Sequence, residues 1–282
     1  MHGETAAYAA ALGTFLWRRG HWEDLLQRLQ IGVEAAKKAH GEVSVLRLFY
    51  LRAAAAHDRG SPAIAEDACE FGLEHARRLS DTENVALFTN LSALISDRDD
   101  PDGARRKLHQ SLEMARSGAH GRVEAMALHN LGLVAQRQGD TDEAKQFYEQ
   151  ALVIRREIGD QRGMAETSNN LAICAWLSGQ SETARRLHCE TLDAYLTLDD
   201  PFGIAVALCN VGELEDDPGL AVELLAPSNR ALQHLGSPHH SHCATLLAEA
   251  RSKAGEVDVE PQIPWRRALR EAAEKAVRTF EA

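Results

Sequence analysis

For most of this 282-residue chain, apolar positions recur three and four residues apart. That spacing is one face of an α-helix. Two neighbouring stretches, 124–138 and 142–157, each carry such a stripe on an otherwise polar background. "QGDT" between them supplies Gly139 to stop one helix and an Asp/Thr start for the next. The pattern predicts a pair of antiparallel helices. One pair cannot bury its apolar face alone, so pairs of this kind must stack on one another.

The pair recurs along the chain. Small residues stand at Gly13, Ala53, Ser92, Gly132, Ala172 and Gly212, in steps of 40, 39, 40, 40 and 40. Seven residues after the first five comes a turn residue: Gly20, Gly60, Asp99, Gly139 and Gly179. Five further on comes a core position: Leu25, Ala65, Ala104, Ala144 and Ala184, with Ala221 in the shorter sixth copy. The same step carries an asparagine, at Asn90, Asn130, Asn170 and Asn210. This register divides 1–236 into six helix pairs, at about 5–40, 45–80, 84–120, 124–160, 164–200 and 204–236. Beyond it, "HHSHCATLLAEARSKAGE" reads as one helix and "VDVEPQIP" as a linker. The last stretch, "WRRALREAAEKAVRTFEA", reads as an amphipathic helix with Trp265, Ala268, Leu269, Ala272, Ala276, Val277 and Phe280 on its apolar side. Residues 237–282 are expected to form a degenerate seventh pair that caps the stack.

The pattern resembles the tetratricopeptide repeat over about residues 5–236. The likeness is strongest in "LHNLGLVAQRQGDTDEAKQFYEQAL", at Leu131, Gly132, Gly139, Ala144, Tyr148 and Ala151. It departs from the family in lacking the closing proline and in its 40-residue length. The long form, with "REIGDQRG" joining one copy to the next, is similar to kinesin light chains, spindle-orientation adaptors and the repeat tails of bacterial NB-ARC/STAND regulators. The resemblance implies an all-α, right-handed superhelical solenoid with a concave groove that takes a peptide or a partner protein.

The first helix of each pair would line that groove, so the asparagines would form a ladder along it. An Asn amide offers both a donor and an acceptor. Two roles are open: holding a ligand's backbone, or satisfying polar groups between neighbouring repeats. The same register places Trp17, Tyr50, His129, Asn169, Trp176 and Glu213 inward or at the rim, with the acidic end toward the C-terminus. Trp17 and Trp176 would be anchors, or packing between repeats. The Lys/Asn pattern with which chaperone-binding relatives clamp a C-terminal carboxylate is missing: one set of matching positions reads Ala10, Tyr50, Thr89, His129, Asn169 and Cys209.

Composition narrows the function further. Lys and Arg number 31 against 42 Asp and Glu, for a net charge of −11, with no dense basic run. Direct nucleic-acid binding is not expected. The longest apolar stretch, about Tyr8 to Trp17, is too short to span a bilayer. The five cysteines lack CxxC spacing and read as reduced thiols of a cytoplasmic protein. "HHSHC" at 239–243 is the one metal-like cluster, but adjacent histidines point apart, so no metal is expected. No phosphate-binding loop, dinucleotide fingerprint, nucleophile elbow or zinc-protease motif occurs. The expectation is a scaffold with no catalytic residues and no cofactor. The alternative is the sensor or regulatory segment of a larger signalling ATPase or transcription regulator.

Overall fold

The computed structural model describes residues 22–39, 42–237, 239–255 and 264–281, with positions 5, 8, 9 and 12. Trp17, Gly13 and Gly20 lie outside the described residues. The described residues form α-helices with no strand. In chain order these are α1 (Trp22–Ala39), α2 (Glu42–Asp58), α3 (Pro62–Arg78), α4 (Thr82–Ser96), α5 (Pro101–Ser117), α6 (Gly121–Arg137) and α7 (Thr141–Glu157). Then come α8 (Gln161–Leu177), α9 (Ser181–Thr197), α10 (Pro201–Glu213), α11 (Pro218–His234), α12 (His240–Ala254) and α13 (Trp265–Glu281). Five complete pairs, α2/α3 to α10/α11, follow the 40-residue register.

Local chemistry fixes the helix ends. Asp81, Asp100, Asp140, Asp160, Asp200 and Asp217 each accept a backbone N–H of the helix they precede. Such caps satisfy donors that a helix start leaves open. Helix α6 stops where Gly139 turns left-handed at φ +85°, and Asp140 N–H donates back to Ala135 C=O at 3.0 Å. Ser80, Ala119 and Asp199 hold the left-handed conformation elsewhere without the freedom of glycine.

The helices fall into two compact units, one carrying those up to Gly159 and one those from Asp160. In the first, each helix packs on the next, and α4 also packs on α6, first helix against first helix. Leu29, Leu48, Phe49 and Phe88 centre one part of its core, and Leu108, Leu128, Leu131 and Ala151 another. The repeated small residue has a clear cause at Gly132. A Cβ there would sit 2.5 Å from the ring of Tyr148, which is fully buried on the partner helix α7. Only a bare backbone lets the two helices approach across that ring.

In the second unit, α8 packs on α9, α9 on α10, α10 on α11 and α11 on α12 around Leu192, Leu208, Leu224 and Leu247. The expected seventh hairpin takes a different form. Helix α12 stacks on α11 and turns Cys243, Leu247 and Ala250 inward, with Ser241, His242, Thr245 and Glu249 exposed. That polar outer face already finishes the stack. Helix α13 instead packs on α9, α10 and α11. It buries Ala268, Leu269, Ala273 and Ala276, while Trp265, Ala272 and Val277 are partly buried. The side chain of Phe280 lies outside the described set.

Candidate ligand-binding face

The repeated asparagines lie on the first helices of their pairs. In the first unit Asn90 (α4) and Asn130 (α6) are 1% and 6% exposed. The Asn130 Nδ2 donates to Asn90 Oδ1 at 2.6 Å. The ladder here is a bond between repeats, and these two amides do not lie open. A buried amide left unpaired costs about 1–3 kcal/mol, whereas a paired one contributes about 0.5–1.5. Asn130→Ala would leave the Asn90 acceptor without this donor. It is expected to destabilise the chain by about 1–3 kcal/mol, checked by urea unfolding.

The second unit repeats the device with a shift. Asn210 Nδ2 donates to Asn169 Oδ1, 41 residues away, at 3.0 Å. Asn169 is buried, at 8% exposure. Asn170 and Asn210 remain half-buried, with a side toward solvent. One and two turns further along α8, Ile173 is half-buried, and Trp176 and Leu177 are 38% and 55% exposed. On α10, Glu213 sits one turn after Asn210, and its Oε2 lies 3.5 Å from Nε2 of His242 on α12. Leu177 thus stands two turns on from Asn170, Trp176 two turns on from Asn169, and Glu213 one turn on from Asn210. Sequence reasoning missed Leu177, although a Trp-Leu pair just before a turn was a readable signal.

Two further candidates among the described residues, Tyr50 and His129, each meet an aromatic ring. The half-buried Tyr50 meets Phe88 edge-on, with ring centroids 6.1 Å apart. His129 is buried against the Tyr148 ring at 5.5 Å. Burial, with the Arg155 charge adding to it, holds the His129 pKa well below the usual imidazole value, so it is neutral. Ion pairs that the apolar pattern did not reveal also link consecutive repeats. They join Arg105 to Glu143, Arg137 to the buried Asp97, Arg162 to the buried Asp200 and Arg185 to Glu215.

All five cysteines are free and buried, and burial pushes the Cys69 thiol up to about 12, away from nucleophilic use. Within "HHSHC", Cys243 points into the core and the His242 side chain is 57% exposed. Among the described residues no group of three or more His, Cys, Asp or Glu is arranged to hold a metal ion. No helix among them is long and apolar enough to cross a membrane.

Residues 123–197 match the model of the tetratricopeptide repeat family. Residues 123–197 thus read as tetratricopeptide repeats, and the helix pairs on either side of them share that fold. Several solved structures share it. The Rap protein complexed with competence and sporulation factor aligns with a TM-score of 0.66 at 14% identity, over 89% of this chain and 76% of that one. NprR in complex with its cognate peptide NprX gives 0.58 at 17% identity, over 95% and 77%. The STAND signal-transduction ATPase with a tetratricopeptide repeat sensor from Pyrococcus horikoshii gives 0.58 at 15%, over 94% of this chain and 41% of that one. At these identities the likeness is one of fold. No curated protein sequence matches the chain.

Proposed function

We propose that this protein is a scaffold that binds a peptide or a segment of a partner protein on the first-helix face of its repeats. The carrying observation is the face of the second unit. There the half-buried Asn170 and Asn210 stand with the exposed Trp176 and Leu177 and with Glu213. Trp is an enriched anchor of interfaces, and an amide pair can follow an extended backbone whatever its side chains. The carboxylate favours a basic residue in the ligand. One fold neighbour was solved with its cognate peptide and another with a competence and sporulation factor, which supports the same use of the fold.

Selection from a random-peptide display library tests the reading. Parent protein is the bait, and a Trp176→Ala, Asn170→Ala, Glu213→Lys variant is the counter-bait. Enrichment of peptides with an apolar residue near a Lys or Arg, held by the parent alone, is expected. Peptides that do not discriminate between the two baits would place recognition elsewhere.

A second reading is the sensor segment of a larger signalling regulator. It is favoured by the alignment of 94% of this chain with part of a STAND ATPase that carries such a sensor. In that case the same face would take the activating ligand.

A further inference from the structure

We propose that the surface formed by α9, α10 and α11 is a helix-binding site which α13 fills within its own chain, and that a second copy of this protein is the partner it fits, through exchange of α13. This goes beyond peptide binding on the first helices and does not depend on it.

The seat is built around one helix. Trp265 stacks on His234 at the C-terminal end of α11, with centroids 5.6 Å apart. Ten residues on, Lys275 pairs with Glu223 near the start of α11. Helix α13 therefore runs antiparallel to α11 along its length. On its other side Arg270 reaches Asp199, in the turn after α9, at 2.7 Å. Alongside these three clamps Ala268, Leu269, Ala273 and Ala276 are buried at 3% exposure or less. Leu269 is the one large side chain among those four. The three alanines let the helix backbone come close, and the clamps set its direction and register.

This seat is separable from the repeats. Helix α12 already ends the stack with a polar face, so α13 is not needed to close it. Ten residues, 255–264, join α12 to α13, and such a segment spans at most about 35 Å. The occupant that the seat fits is the α13 sequence itself, which a second copy supplies. Helix α13 carries five basic residues against three acidic ones, whereas the chain as a whole bears −11. A helix from one copy is thus attracted to the acidic body of another. Exchange of an identical element needs no new contact, because each seat is filled as before.

Complementation between two full-length variants tests this. Ala273→Glu spoils the helix but keeps the seat. Asp199→Lys with Glu223→Lys spoils the seat but keeps the helix. Each alone should be monomeric by size-exclusion chromatography with light scattering, and an equimolar mixture should form a dimer in which one intact helix occupies one intact seat. Circular dichroism checks that both variants keep their helical signal. If Ala273→Glu loses it, Leu269→Ser replaces it in the same mixture. A mixture of folded variants that stays monomeric at concentrations up to about 100 times those used for unfolding overturns the proposal. A labelled 264–282 peptide that binds the Ala273→Glu chain while the mixture stays monomeric keeps the seat but overturns exchange between copies.

Discussion

Tyr148→Ala should destabilise the first unit by about 3–5 kcal/mol, the range for truncating a buried aromatic. Its side chain is fully buried, and three contacts depend on it. The ring fills the space that the missing Cβ of Gly132 leaves open, with its Cε1 2.5 Å from that position. It lies against the His129 ring, and its hydroxyl donates to Gln136 Oε1 at 2.8 Å. Removing the ring opens a cavity between α6 and α7 that two stiff helices cannot close. Tyr148→Phe keeps the ring and should cost only about 0.5–1.5 kcal/mol, the worth of one hydrogen bond. The coupling with Gly132 is diagnostic. Gly132→Ala should cost about 1–3 kcal/mol in the parent by overpacking. On the Tyr148→Ala background it should cost much less, because the clashing ring is gone. Urea unfolding of the two single variants and the double variant measures this coupling.

Mild acid should weaken the second unit through His188. This side chain is 1% exposed, and burial lowers its pKa from 6.5 to about 4. The unfolded chain, with an ordinary imidazole, binds a proton that the folded one refuses. Stability is therefore fully present above about pH 6.5 and is lost as pH falls from there toward 4. Between pH 7.5 and 5 the loss from His188 alone is about 2 kcal/mol. Most carboxylates are still ionised at pH 5, so this interval isolates the histidines. His129 in the first unit acts with the same sign, its pKa also lowered by burial and then by Arg155. Urea midpoints at pH 7.5, 6 and 5 should fall steadily in the parent and less in His188→Gln. Midpoints that do not move between pH 7.5 and 5 would mean these imidazoles are not buried neutral.

The fold was legible because a repeat writes one constraint many times. Gly132 marks a close approach of two helices, Ala172 forty residues on is likewise fully buried, and that step survives variation at other positions. Partners across that step were legible only in part. The bond between Asn130 and Asn90 follows the 40-residue period, but Asn210 pairs with Asn169 rather than Asn170. Periodicity names the helix face, and it does not decide which of two adjacent amides reaches the neighbour. Helix α13 shows the same limit. Its stripe announced a buried side, yet nothing in the stripe distinguishes an apolar surface on α12 from one on α9 to α11. His188, in "RRLHCETL", carries no sequence signal of burial, and only the packed helices show it to be inside.

Whether the first-helix face of the second unit binds peptide is tested most directly by one titration. A library-selected peptide, carrying a fluorophore, is titrated with the parent, Trp176→Ala, Asn170→Ala and Asn130→Ala, and each protein is melted in the same buffer. Loss of an anchoring Trp costs about 2 kcal/mol or more, so Trp176→Ala should raise Kd by about thirtyfold. Asn170→Ala should raise it by about two- to tenfold. Both should melt close to the parent. Asn130→Ala should melt lower and, where folded, bind nearly as well. Unchanged peptide affinity in Trp176→Ala and Asn170→Ala, with both proteins folded, would contradict the account.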